Sequence, residues 1–185
     1  MKAWLYWIAV ALVIGAVSHL SYVLIAPSFA MQRLMGGSKE DGQINRFVVL
    51  DAAQQLRLLG ETQGETLSGK CVFDISKGEL SVAAEMPHTF WSLTIYSDKG
   101  ADLYTINDRQ AGTDKFKLTV KQAPSIMDLL GGDQSESARA LSDGWSVEIP
   151  EPNGIAVFWM ALEYPEQRKL FADTLSRSAC TLTPT

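Results

Sequence analysis

The chain has 185 residues, of which 46% are hydrophobic and 20% charged, with a formal net charge of −5. That length accommodates one ordinary domain plus one membrane segment and leaves little room for a second domain, and the composition excludes a disordered chain. Lys2 is the only Lys, Arg, Asp or Glu before Arg33, so the remainder carries 15 basic and 21 acidic residues. It has no Lys/Arg cluster to meet phosphates, and no nucleic-acid partner is expected.

Residues 3–26 contain no Lys, Arg, Asp or Glu. At a rise of about 1.5 Å per residue such a run spans roughly 36 Å, enough to cross a hydrocarbon core of about 30 Å. Trp4, Tyr6 and Trp7 at one end and Tyr22 near the other suit the headgroup level, and His19 reads as a neutral side chain in the outer third. Residues 1–30 are therefore expected to form a transmembrane anchor, N-terminus inside and the rest outside. The alternative is a cleaved signal peptide with an imperfect site at Ser28-Phe29-Ala30. Residues 31–42, with Gly36, Gly37, Ser38 and Gly42, read as a polar linker, and residues 43–185 as the domain.

Within the domain, Phe47 to Leu50 is an apolar run that fits a strand or a helix start, and residues 60–69 read as a turn-like stretch. Cys71, Phe73 and Ile75, then Leu80, Val82 and Ala84, alternate at period two around a turn at Ser76-Lys77-Gly78. Residues 90–111 read as a β-hairpin turning at Ser97-Asp98-Lys99-Gly100, placed at the middle of the sheet. Its inward set is Trp91, Leu93 and Ile95. Phe116, Leu118 and Val120 alternate with Lys115, Lys117, Thr119 and Lys121, a strand whose lysines form a solvated face and would protect an edge.

Residues 124–130 suggest a short helical turn and 131–144 a polar excursion. Trp145, Val147 and Ile149 alternate again, and residues 155–162, apolar on both faces, mark a central strand. Pro165 followed by Leu170, Phe171, Thr174 and Leu175 gives a C-terminal amphipathic helix. At least seven short strands with one or two helices make an antiparallel β-sandwich-like domain behind one N-terminal transmembrane helix.

Two cysteines, Cys71 and Cys180, allow a single pairing outside the cytoplasm. The bond would tie the C-terminal helix to a core strand. Catalytic patterns are sparse: His88 is the one histidine beyond the apolar segment, no nucleophile elbow accompanies a serine, and no metal-ligand spacing, phosphate loop or dinucleotide fingerprint occurs. No catalytic residue, metal or cofactor is assigned. The polar run Asn107-Asp108-Arg109-Gln110 carries two readings: a cap with Arg109 reaching Asp102 or Asp108, or a ligand site in which Asn107, Asp108 and Arg109 bind an anionic or hydroxylated molecule beside Trp91 and Tyr104. A hydrolase built on Asp102 and Asp108 is a third possibility.

Residues 71–75 (CVFDI), the Gly78-Glu79-Leu80 turn, residues 90–96 (FWSLTIY) and residues 106–111 (INDRQA) resemble bacterial proteins of domain-of-unknown-function family 1254, specifically its short, membrane-anchored members. The resemblance covers roughly residues 65 to 120. It implies a β-sandwich in the cell envelope and suggests a separate partner protein of family 1214; with the N-in anchor the domain is expected on the periplasmic side of the inner membrane, and the resemblance implies no established activity. The expectation is an anchored envelope protein whose β domain binds a partner or envelope component, with a carbohydrate- or small-molecule-binding sandwich as the alternative.

Overall fold

The computed structural model describes residues 2–59, 66–124, 138–141 and 144–184. Helix α1, Lys2–Glu40, is the longest element, and Pro27 lies inside it. It is long and apolar enough to cross a membrane, with a mean hydropathy of 2.3 over its most apolar window, and nothing in the protein buries that stretch. Residues 31–42, expected as a linker, instead continue α1 to Glu40. The reason is a second apolar stripe at helical spacing: Met31, Leu34, Met35 and Ser38 turn to the domain while Gln32, Arg33, Lys39 and Glu40 stay exposed.

Among the described residues, ten strands form two five-stranded sheets. They are β1 (Arg46–Val49), β2 (Thr66–Asp74), β3 (Gly78–Glu85), β4 (Trp91–Ser97), β5 (Asp102–Asn107), β6 (Lys115–Gln122), β7 (Ala138–Leu141), β8 (Gly144–Ile149), β9 (Asn153–Ala161) and β10 (Ala179–Pro184). The first sheet runs β1-β2-β9-β4-β5 and the second β10-β3-β6-β8-β7, antiparallel throughout except for β6 beside β8. Helix α2 (Ala52–Leu59) follows β1, the single turn α3 (Asp108–Ala111) follows β5, and α4 (Gln167–Ser176) precedes β10.

Period-two alternation aims one set of side chains from each sheet at the other. Leu67, Cys71 and Phe73 of β2, Trp91, Leu93 and Ile95 of β4, and Phe158 and Met160 of β9 meet Leu80 and Val82 of β3 and Phe116, Leu118 and Val120 of β6. A chain of edge-on rings crosses this core, with centroids 5.4 Å apart for Phe47 and Phe158, 6.4 Å for Phe158 and Phe116, and 5.3 Å for Phe116 and Trp91. Where β9 enters between β2 and β4, a Cβ on Gly154 would stand 2.5 Å from the Tyr96 carbonyl and 2.6 Å from the Phe73 ring, so only glycine fits.

The antiparallel sandwich with a C-terminal helix is the expected architecture, and the hairpin of residues 90–111 forms as β4 and β5 with a bulge between Ile95 and Tyr96. Strand order differs from the sequence reading at β5, which is not central but an edge. β6 lies between β3 and β8 with its lysines on the outward face, as expected, though they guard no edge. β2 and β3 share a tight turn yet belong to different sheets. Residues 66–69, read as part of a turn, already belong to β2. The short helix expected at 124–130 and most of the 131–144 excursion lie outside the described residues.

Cys71 and Cys180 are disulfide-bonded, with Cα atoms 6.4 Å apart. Cys180 sits on β10, a strand the sequence reading did not include, so the bond joins the two sheets rather than pinning α4 to one of them. Phe171 and Leu175 are the buried face of α4, whereas Leu170 of the expected stripe is exposed and Thr174 only half-buried.

Candidate functional site

The antiparallel pairing of β3 with β6 ends at Glu85 opposite Lys115, and the Met86 N–H continues the ladder by donating to the Asp114 carbonyl at 2.7 Å. This carries the next residues, Pro87, His88 and Thr89, alongside Gly112, Thr113 and Asp114. The segment crosses from the second sheet to the first and enters β4 at Trp91, while α3 returns from the end of β5. Between them opens a cleft of about 370 Å³ lined by Pro87, His88, Thr89, Trp91, Asp108 and Gly112 to Asp114.

His88 Nδ1 lies 3.4 Å from Asp114 Oδ1, and both side chains are largely exposed. One carboxylate oxygen of Asp108 is shielded from solvent and accepts no hydrogen bond from the protein. The threonines at the cleft are engaged by backbone: the Thr89 hydroxyl donates to the Ala161 carbonyl at 2.8 Å, and the Thr113 hydroxyl accepts from the Lys115 N–H at 3.2 Å. The cleft therefore offers an imidazole, two carboxylates and no poised nucleophile, a set suited to binding a polar molecule. Among the described residues no group of three His, Cys, Asp or Glu side chains could hold a metal ion.

The five residues singled out from sequence separate. Asn107 is the N-cap of α3: its side chain accepts from the Gln110 N–H at 3.0 Å, and the Gln110 side chain accepts from the Asn107 N–H at 3.1 Å. This is a complete capping box, closed by Gly112 at φ 60°, the left-handed conformation that glycine adopts most readily. Trp91, at 2% exposure, is core and gives the cleft only part of its wall, so it is not an open stacking surface. Tyr104 packs inward on the core, where burial raises its pKa. Arg109 is exposed and forms no ion pair with Asp102 or Asp108, contrary to the capping expectation. Asp102 and Asp108 stand at opposite ends of β5, about 20 Å of extended chain apart, so the two-carboxylate hydrolase arrangement does not form. The cleft residues that sequence reading missed, Thr113 and Asp114, come together with His88 only through the β3–β6 pairing.

A second polar cluster lies at the far end of the same hairpin. Lys99 Nζ pairs with Glu151. Burial, reinforced by the Glu151 charge, pushes the Asp98 carboxyl up, whereas the bond from Lys99 holds Glu151 down. On the outer face of the first sheet, Phe90 (47% exposed) stands edge-on to half-buried Trp159 with centroids 5.9 Å apart.

Fold and site together define a disulfide-bridged β-sandwich carried on a long apolar helix. No protein-family model and no curated protein matches the chain. Among solved structures it is similar to the VPA0106 protein of Vibrio parahaemolyticus, with a TM-score of 0.59 at 13% identity over 87% of this chain and 36% of that one. It is also similar to a putative uncharacterized protein from Burkholderia cenocepacia, with a TM-score of 0.50 at 8% identity over 80% of this chain and 37% of the other. The chain thus matches little more than a third of each of these longer proteins, and the likeness is one of fold.

Proposed function

We propose that this is a single-pass bacterial inner-membrane protein whose β domain stands on the periplasmic side and binds a partner protein or envelope component. The observation that carries the reading is the anchor: an uncharged run long enough to span the bilayer continues as one helix into a stem packed on the domain. A cleaved signal segment has no use for such docking. The resemblance to family 1254 supports the envelope setting and suggests a partner of family 1214. Crosslinking and affinity purification of the full chain from native membranes test the reading. Reproducible recovery of one envelope protein supports it, and recovery of the chain alone, or of a soluble chain lacking residues 1–30, counts against it.

A second reading, a carbohydrate- or small-molecule-binding sandwich, is favoured by the Phe90–Trp159 pair beside Ser92 and Asn107 on one sheet face. Titration with oligosaccharides while following tryptophan fluorescence distinguishes it: a saturable change lost in Phe90→Ala supports ligand binding there.

A further inference from the structure

The part of α1 beyond Pro27 crosses the first sheet in strand order. At the start, the Ser28 hydroxyl donates to the Lys99 carbonyl at 3.4 Å, and Gly100 in the β4–β5 turn abuts Pro27. Further along, Met31 and Met35 cover Tyr96 of β4, Ile155 and Val157 of β9 and Val72 of β2. Tyr96, Ile155 and Val72 are register partners, a row running straight across the strands. At the end, Ser38 accepts a 3.0 Å bond from Lys70 Nζ of β2. Ten helical residues from Ser28 to Ser38 advance about 15 Å, and three strand spacings from β5 to β2 are about 14 Å. Lys70 is level with Val157 and Thr94, whereas Lys99 lies beyond Ser97, so the stem crosses the strands obliquely, rising from the β4–β5 turn toward β2.

From this we infer that the free β5 edge of the sandwich, at its β4–β5 turn end, rests on the bilayer, in contact with the phospholipid headgroup layer. The inference rests on the anchored reading above. Charge is absent as far as Gln32, but a hydrocarbon core of about 30 Å takes up only about 20 helical residues, from the Trp4–Trp7 rings to just past Tyr22, so the β4–β5 turn that meets Pro27 stands at headgroup level. The sheet then stacks away from the membrane strand by strand, β5 nearest and β1 farthest, about 19 Å away across the sheet.

β5 suits this position. Its outer side has no strand partner among the described residues, leaving a row of backbone N–H and C=O groups that soluble proteins ordinarily block with lysine, proline or a covering element. The sequence DLYTIN contains neither lysine nor proline. Arg109, just past its far end, is exposed and pairs with no carboxylate among the described residues. Asp98, Asp102 and Asp108 along the same edge make it anything but basic, so the contact follows from the stem's direction rather than from attraction to anionic lipid.

The test places nitroxide labels on the full chain in phosphatidylcholine nanodiscs doped with a nickel-chelating lipid, at Thr105→Cys on β5 or Arg46→Cys on β1. The disulfide leaves no native thiol to label. Relaxation enhancement several-fold larger at position 105 than at position 46 is expected, and Asp102→Cys, exposed beside the β4–β5 turn, gives the same readout should Thr105→Cys disturb the fold. Equal enhancement at the two edges, or the larger one at β1, overturns the inference. Protease protection of the N-terminus in the same nanodiscs keeps the two failures apart. An inserted helix with a remote β5 edge refutes only the headgroup contact, whereas a chain not retained in the bilayer refutes the anchored reading and the contact with it.

Discussion

The two faces of the first sheet are buried by different kinds of partner. The inner face of β2, β9 and β4 meets a second sheet through large side chains that are wholly enclosed, with a disulfide across the gap. The outer face of the same strands is covered along one row by the stem of α1, through Met31, Met35 and one Lys–Ser bond. The first is an interlocked core that cannot be opened without unfolding. The second is a narrow seam on which a helix is seated, and it sets how the domain stands on its anchor. Burial alone does not reveal the difference, since β2 is buried residue after residue from Leu67 to Phe73. What separates the faces is the number of elements that must move to expose them.

The largest effects belong to the inner face. Phe158→Ala removes a fully buried ring that touches both Phe47 and Phe116, and it should cost about 3–5 kcal/mol in denaturant unfolding of the detergent-solubilised chain. Next comes the bond between the sheets. Its loop spans a sequence separation of 109, and replacing both cysteines by alanine should cost about 2–5 kcal/mol. A loss below 1 kcal/mol would mean that the two sheets hold together without it.

The seam should respond differently. Met35 is 5% exposed, so truncation to alanine removes most of a buried side chain, with a cost of about 2 kcal/mol. That cost should appear as release of the stem, read as faster trypsin cleavage after Arg33 and Lys39, with the unfolding midpoint of the sandwich unchanged. A parallel fall in that midpoint would show that stem and sandwich unfold as one unit.

How far the sequence discloses this organisation depends on the range of the interaction. Alternation along Cys71–Ile75, Trp91–Ile95 and Phe116–Val120 is local, and those residues are core in the structure. The disulfide was legible because only one pairing exists. Strand order was not: β5 being an edge and β6 interior depend on β9 inserting between β2 and β4 and on β8 lying parallel to β6, contacts spanning tens of residues. The stem had a local signal, Met31, Leu34, Met35 and Ser38 at i, i+3, i+4 and i+7, but Gly36 and Gly37 interrupt it and turn the eye to a linker. β10 had one too, in the alternation of Cys180 and Leu182. Within the candidate site, the cap at Asn107 was readable from four consecutive residues, whereas the meeting of His88 and Asp114 requires the β3–β6 register.

Lys70 gives the seam a pH dependence of its own. Its ammonium is buried beneath the end of the stem with Ser38 as hydrogen-bond partner, and desolvation, partly offset by the Asp41 charge, lowers its pKa below the ordinary 10.5. The docked state binds this proton less tightly than the released state. The cost of burying the charge is thus complete below the docked-state pKa and is relieved as pH rises from there to 10.5. Stem docking should therefore strengthen toward alkaline pH, and the trend should vanish in Lys70→Met, which keeps the aliphatic length and removes the charge. A trypsin-release profile of the same slope in both proteins would assign the pH dependence to another group.

The smallest expected effect lies at Arg109, and it divides the two readings of the polar run after β5. A cap in which the guanidinium reached back to a carboxylate would make Arg109→Ala costly. Instead the capping box is closed by Asn107, Gln110 and Gly112 without it, and Arg109 is exposed with no ion pair to lose. Its truncation should change unfolding free energy by no more than about 0.5 kcal/mol, while Asn107→Ala, which opens the box, should cost roughly 1 kcal/mol. Equal costs for the two would return Arg109 to the structural role; a silent Arg109→Ala leaves its charge available to whatever meets the β5 edge.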